Sequence, residues 1–331
     1  MEGKRFARIA GTGMYLPEKV ITNEELSKKM GFDVSQYLSG VKLRHVSAPD
    51  EASSDMAVEA AKEALGNAGM KPEDIDLIIL TTDTPDIVTP PTSLIIQHKL
   101  GAKNAAAFDM NGACADAVIG MTVASHYITI DPEINNVLVV ASYGMTKWLD
   151  WDNKVLAPMF GDGASAVILT VSDKPGFLSS AMLADGSYWD SYGIYVGTKY
   201  PITKEMVEKK EHLLRFHPNF HKYPPDINYG RWPGLVKKVA EKAGYTVNDL
   251  NMVLFTQVRL IDIEESMKRL NLPMEKTHYI MDKFGYTGSA CVFMALHDAL
   301  KEGKIKNNDL VAFCTSGAGM VMSAALFKWI E

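Results

Sequence analysis

The chain contains one pattern twice, and this repetition constrains its fold more than any single motif. Residues 68–82 read AGMKPEDIDLIILTT and residues 243–257 read AGYTVNDLNMVLFTQ, an offset of 175 (243 − 68). Each copy reads as a helix end, a turn and a buried strand. The helix before the first copy is apolar at Ala57, Ala61, Ala64, Leu65 and Ala68, and the same offset falls on Trp232, Val236, Val239, Ala240 and Ala243. One helical face is therefore buried in both copies. A second pair, Asn-Asn-Val-Leu-Val-Val-Ala-Ser at 135–142 and Asn-Asn-Asp-Leu-Val-Ala-Phe-Cys at 307–314, follows at an offset of 172 (307 − 135). Residues 77–81, 137–141, 164–170, 252–255 and 310–314 form nearly unbroken apolar runs, as strands covered on both faces require. Their alternation with helices predicts an α/β fold, helix on sheet on helix, in two similar halves, 1–172 and 173–331.

Within the first half, Ala-Phe-Asp-Met-Asn-Gly-Ala-Cys-Ala-Asp at 107–116 reads as a buried strand handing over to a helix. Asn111 and Gly112 turn the chain, and Val118, Met121 and Ile128 recur at helical spacing. Cys114 falls in the first helical turn, where free N–H groups and the helix dipole favour a reactive thiolate. Carried across the repeat at the offset of 172, Cys114 lands on Tyr286, again at a glycine turn leading into a helix. If the halves pack about an approximate two-fold axis, Cys114, Tyr286 and the strand end Thr256–Gln257 become neighbours. That is where open α/β sheets bind ligands, outside the carboxyl ends of their strands.

Composition narrows the setting. The 331 residues are 47% hydrophobic and carry a net charge of −6, which argues against nucleic acid as a partner. Three cysteines in unrelated contexts make no disulfide framework; Cys291 and Cys314 read as core residues. No stretch has the order of a signal peptide, and no apolar run approaches about 18–20 residues. These features predict a cytoplasmic protein without a membrane span.

Four motifs in this order carry a family resemblance over essentially the whole chain: Gly-Thr-Gly-Met-Tyr-Leu-Pro-Glu-Lys-Val-Ile-Thr-Asn at 11–23, the cysteine segment at 107–116, Phe-Gly-Asp-Gly-Ala-Ser-Ala at 160–166 and Ser-Gly-Ala-Gly-Met at 316–320. The chain resembles β-ketoacyl-ACP synthase III and its relatives in the thiolase superfamily. The resemblance implies a thiolase fold, a duplicated αβαβα sandwich, usually a homodimer. It also implies acyl transfer from a thioester onto Cys114, with the N–H groups of Cys114 and Ala318 as oxyanion hole. Coenzyme A or the phosphopantetheine of an acyl-carrier protein would be the substrate carrier, and no tightly bound cofactor or metal is expected.

Two family positions differ. The family histidine of a His-Gln-Ala-Asn segment falls on Thr256 in Thr256-Gln257-Val258-Arg259, and the asparagine of a Gly-Asn-Thr segment falls on Tyr286 in Gly285-Tyr286-Thr287. Histidine and asparagine donate to the carbonyl where enolate charge builds up during decarboxylative condensation, a stabilisation of several kcal/mol. Threonine and a phenol supply less, so standard malonyl-ACP elongation is not expected, whereas acylation of Cys114 survives. Gln257, Arg259, Gly285 and Gly317 are further pocket candidates. The family's adenine-stacking tryptophan and nearby basic residue fall on Val34 and Leu38, which leaves Lys42, Arg44, Lys147 and Arg259 as candidate contacts for a phosphate or an acidic carrier protein. The aromatic segment 186–233 reads either as a capping loop or as a wall of the acyl pocket. His98, His126 and His297 read as helix-face or core residues. His212, His217 and His221 read as a solvated loop, Pro218 breaking any common ligating face, and one of them is a candidate surrogate base. The contrasting expectation is a non-catalytic subunit that pairs with an active homologue or binds a carrier protein.

Overall fold

The computed structural model describes residues 4–331. In the first sheet β1 (Phe6–Tyr15), β2 (Leu77–Thr81), β3 (Ala106–Met110), β4 (Asn136–Tyr143) and β5 (Gly163–Ser172) run in the order β1-β5-β4-β2-β3. In the second, β6 (Phe177–Ala184), β7 (Met252–Phe255), β8 (Leu310–Gly317) and β9 (Val321–Lys328) run β6-β9-β8-β7. Strand for strand, β6 stands where β1 does, β9 where β5 does, β8 for β4 and β7 for β2. The place of β3 is reduced to a single parallel bridge between Val253 and Thr277, whose hydroxyl donates to the Val253 carbonyl at 2.7 Å. A helical turn at Met274–Lys276 and a helix from Met281 leave no run there for a full strand.

Helices α1 (Ser53–Ala68) and α2 (Thr92–Leu100) cover the outer face of the first sheet, and α4 (Trp232–Lys242) with α5 (Leu260–Leu270) that of the second. Between the sheets lie α3 (Asp116–Ile130) and α6 (Cys291–Lys301). The result is the five-layered αβαβα sandwich that the resemblance implies. The close fit of α1 on β1 explains the first motif. An added Cβ at Gly13 would lie 2.2 Å from the Ala60 carbonyl oxygen, and Ala60, Ala61 and Ala64 are fully buried.

Helix α3 is apolar on nearly every side because both sheets press on it; Ala117, Val118, Met121, Ala124 and Ile128 are all buried. With the turn before it, Ala113–Ile130 is long and apolar enough by length and composition to cross a membrane, contrary to the expectation from sequence. Here it is the central core helix, 67% of it buried. The Phe-Gly-Asp-Gly motif is structural. Buried Asp162 accepts from the N–H and hydroxyl of Ser47 and from the N–H and hydroxyl of Thr146, fastening the 40s loop to the end of β4. Burial raises its pKa while these donors hold it down.

Candidate active site

The two strand-to-helix junctions meet between the sheets. The turn Ala113–Ala115, entering α3, packs on β8 of the other half, and the turn Gly288–Ala290, entering α6, packs on β4 of the first. The equivalent of Cys114 is therefore Ser289 (289 − 114 = 175), not Tyr286: the junctions keep the offset of the β2/β7 repeat rather than that of β4/β8. Tyr286 nevertheless reaches the cysteine, because the segment before the turn runs back across Phe160. Phe160 and Tyr286 form a parallel bridge, Gly161 N–H donates to the Tyr286 carbonyl at 2.8 Å, and the two rings lie 5.5 Å apart.

Cys114 lies just ahead of α3 in a tight helical turn, buried, on a backbone held by its neighbours. Ala113 before it has φ +49°, a conformation costing a non-glycine residue about 1 kcal/mol or more. The Asn111 side chain accepts from Ala113 N–H at 3.0 Å, and Ala115 N–H donates to the Gly112 carbonyl at 3.2 Å. Gly317 at the end of β8 sits so close that a side chain there would lie 2.5 Å from the Gly112 oxygen. The N–H groups of Cys114 and Ala318 meet no protein acceptor among the described residues, whereas those of Gly319 and Met320 are taken by Tyr223 Oη and the Gly317 carbonyl. Both free groups belong to residues that line one cavity.

That cavity, of about 190 Å³, is lined by Asp83, Cys114, Tyr143, Met145, Tyr192 and Ala318 among others. A larger one, of about 390 Å³, is lined mainly by apolar groups, with Tyr286, Arg259, Asn228, Ser316 and Gly317 on its wall. Tyr192 belongs to both. The segment 186–233 thus walls both cavities, through Tyr192, Ile194 and Leu214 on one side and Phe216, Tyr223 and Ile227 on the other.

The electrostatics differ from the expected helix-dipole picture. Burial pushes the Cys114 thiol well above its ordinary pKa, and the carboxylates of Asp83 and Asp116 add to this; a hydrogen bond from Tyr286 works the other way. Desolvation outweighs the dipole because no cation borders the cavity. Burial likewise raises Tyr286 and Tyr143. The Tyr143 ring is seated over Gly288, where a Cβ would lie 2.2 Å from it. Burial holds Asp116 well above the carboxylate range, with Asp83 contributing, and lifts Asp83 itself to about 7.

Comparison with known proteins agrees with this architecture. Residues 108–186 match the family model for 3-oxoacyl-[acyl-carrier-protein] synthase III, and residues 240–329 match the model for its C-terminal part. The beta-ketoacyl-[acyl-carrier-protein] synthase III of Xanthomonas oryzae pv. oryzae is 35% identical, aligned over 99% of this chain and 100% of its own. The chain belongs to the synthase III family. Among solved structures, the synthase III of Aquifex aeolicus is 31% identical with a TM-score of 0.85, covering 98% of this chain and 100% of its own. The priming β-ketosynthase of the R1128 polyketide pathway is 27% identical with a TM-score of 0.90, covering 100% of this chain and 98% of its own. As a synthase III relative, the chain is a condensing enzyme of the acyltransferase type.

The remaining site candidates have defined places in the structure. Thr256 is fully buried and lines neither cavity; its Oγ1 accepts from the Ser316 N–H at 3.0 Å. Ser316 Oγ donates to Asn228 Oδ1 at 2.9 Å, Asn228 Nδ2 to Asp262 at 2.8 Å, and Arg259 Nε to Asp262 at 2.9 Å. A polar relay thus ties the glycine loop to segment 186–233 and α5. Gln257 also lines neither cavity: its side chain donates to the Phe255 carbonyl and accepts from Ile280 N–H. Gly285 packs its backbone against Leu43 and Arg44, away from both. Arg44 is no phosphate contact, because it is buried to 0% exposure, donates to Asn23 and the Ile21 carbonyl, and is lowered by desolvation to about 10. Val34 is buried and Leu38 partly so, neither beside Cys114. Lys42 pairs with Asp282 at 3.7 Å, and Lys147 donates to the carbonyls of Pro49 and Glu51.

No histidine borders either cavity. His221 pairs with Asp190 at 2.9 Å, His217 stacks among Trp189, Tyr195 and Tyr200, and His297 bonds Thr12 on the far side of α6. The residue that reading the sequence missed is Asp83. Its signal was a carboxylate two residues beyond the uninterrupted apolar strand β2, at the position where the repeat carries Val258 (83 + 175).

Proposed function

We propose that the chain takes an acyl group from coenzyme A or an acyl-carrier protein onto Cys114 and passes it to an acceptor by a route other than standard malonyl-ACP elongation. The observation that carries this reading is the pairing of a cysteine on a strained turn, beside two free N–H groups, with Thr256 and Tyr286 where condensing chemistry wants two strong donors. Attack of the sulfur on a thioester needs a proton acceptor and a place for the oxyanion. The N–H groups of Cys114 and Ala318 supply the second. Stabilising an enolate needs donors aimed at a second carbonyl, and Thr256 is buried off both cavities, its Oγ1 accepting from the Ser316 N–H. Tyr286, on the wall of the larger cavity, favours the thiolate and can donate to the incoming thioester. The halves 1–172 and 173–331 each contribute one side of the site.

Intact-protein mass spectrometry after exposure to acetyl-, butyryl- and octanoyl-CoA tests this. The expected result is one acyl adduct on the wild type and none on Cys114→Ala, with little release of carbon dioxide from malonyl-ACP. Adducts of equal yield on both proteins refute it.

A further inference from the structure

Removing a histidine from a thiol enzyme removes its usual proton acceptor, yet a thiol with a raised pKa must lose its proton during attack. We propose that Asp83 is the general base and acid for Cys114: its carboxylate takes the thiol proton as Sγ attacks the donor thioester and returns it to the departing carrier sulfur. The proposal rests on the acyl-enzyme reading above and names the group that moves its proton. The step balances without a cofactor. The Sγ–carbon bond forms, the bond from that carbon to the carrier sulfur breaks, and the proton travels from Cys114 to the released carrier thiol through Asp83.

Geometry singles out this residue. Asp83 and Cys114 line the same cavity of about 190 Å³, and the Asp83 carboxylate is close enough for its charge to act on the thiol. Its Oδ1 is buried and takes no hydrogen bond from the protein. The residues on either side are fastened instead. Thr82 N–H donates to the Met110 carbonyl at 3.1 Å, and Thr84 N–H donates to Thr82 Oγ1 at 3.0 Å. Thr84 Oγ1 accepts from Gly144 N–H at 2.9 Å, and the Thr84 carbonyl accepts from Ser53 Oγ at 2.7 Å. The backbone is thus pinned to the ends of β3, β4 and α1 while Oδ1 of the carboxylate is left without a partner. Buried Asp162, by contrast, is fully committed, accepting four hydrogen bonds from Ser47 and Thr146.

The other ionisable groups around it do not fit the role. The turn into α3 contributes Cys114 and Asp116, β4 contributes Tyr143, and segment 186–233 contributes Tyr192. Tyr286 and Cys291 also act on the thiol but do not line this cavity. Burial holds both tyrosines of the cavity wall above their ordinary range and pushes Asp116 well above the carboxylate range, and Asp116 does not line the cavity. No lysine, arginine or histidine lines the cavity. Asp83, lifted by burial to about 7, is the group in the cavity that changes charge near neutral pH, where an acid–base catalyst is most effective.

The test measures the rate of Cys114 acylation by butyryl-CoA against pH, by intact mass, for the wild type, Asp83→Asn and Asp83→Glu, with thermal unfolding of each. The expected wild-type rate rises through an inflection near pH 7. In Asp83→Asn it falls about 100-fold or more and loses that inflection, while Asp83→Glu recovers part of both. An Asp83→Asn rate within about threefold of wild type, with the same pH profile, overturns the role of Asp83 and leaves the acyl-enzyme reading standing. No adduct on the wild type with butyryl-, acetyl- or octanoyl-CoA overturns both. Should Asp83→Asn not fold, the wild-type profile decides: a flat rate from about pH 6 to about pH 8.5 overturns the proposal, and an inflection near 7 supports it.

Discussion

Asp83→Asn should make the protein more stable at pH 8 and leave it unchanged at pH 4. Burial lifts the Asp83 carboxyl from its ordinary 3.8 to about 7. Below about pH 4 the folded and unfolded chains both hold this proton, so the group costs nothing. From about pH 4 to about pH 7 the folded state alone holds it, and stability falls as pH rises. Above pH 7 the full cost of a buried charge is present. A difference of about 3 in pKa, at 1.36 kcal/mol for each, comes to about 4 kcal/mol. Asp83 is only partly enclosed, and solvent screening brings the expected gain to about 2–4 kcal/mol. Asparagine keeps the shape and cannot ionise. Urea unfolding of the two proteins between about pH 4 and pH 8.5 reads this directly, since every other titrating group cancels in the difference. A gap that opens across pH 4–7 and then levels is the expected result. A gap independent of pH, or a less stable variant at pH 8, refutes the reasoning that the carboxylate is desolvated and unpaired.

Other consequences follow from single contacts. Gly288→Ala should cost more than about 3 kcal/mol, since φ is +50° and the new Cβ would lie 2.2 Å from the Tyr143 ring; adding Tyr143→Ala should recover part of it in denaturant unfolding. Asp162→Ala strips the acceptor from four donors on Ser47 and Thr146 and should cost about 3–5 kcal/mol; a loss under about 1 kcal/mol in the denaturant midpoint would contradict the fastening role. Tyr286→Phe removes the hydrogen bond that favours the Cys114 thiolate, so iodoacetamide should label Cys114 several-fold more slowly near pH 8. An unchanged labelling rate would leave the ring, not the hydroxyl, as the contribution of Tyr286.

Much of the architecture was legible because it is written twice. The apolar runs at 77–81 and 252–255 are strands buried on every residue, and the alternation of runs and helices gives the layer order. The helix face at Trp232, Val236, Val239 and Ala240 is buried as its spacing predicts. What the repeat hid was its own irregularity. The two offsets differ by three residues, and only the packed junctions show that Cys114 answers to Ser289. Cys114 itself, Ala318 and the approach of Tyr286 could be placed from motifs. The polarity of their surroundings could not, because desolvation depends on which distant segments close over a residue. Arg44 shows the same limit: a basic residue two positions after Lys42 reads as surface, yet its stem is clamped beside Gly161 and Gly285 and its head is spent on Asn23.

Thr256 and Tyr286, which the resemblance sets at the family's histidine and asparagine positions, are best understood together with Asp83. A histidine and an asparagine beside a thiol supply a cation, a proton acceptor and two strong donors at once. Here those duties are divided or dropped. Thr256 holds the Ser316 N–H and so, through Asn228 and Asp262, the loop that carries Ala318. Its position is occupied by structure, not vacated. Tyr286 supplies one weak donor to the sulfur. Neither can accept the thiol proton, Thr256 being a neutral alcohol off the cavity and the phenol of Tyr286 being held protonated by burial. A buried thiol without a base would be inert, and inert cysteines need no strained turn. The strain at Ala113 and the charge cost at Asp83 both oppose stability, and they converge on one small cavity. Two such costs at a single place are expected where chemistry is selected over folding, and what they serve in common is the departure of one proton from Cys114.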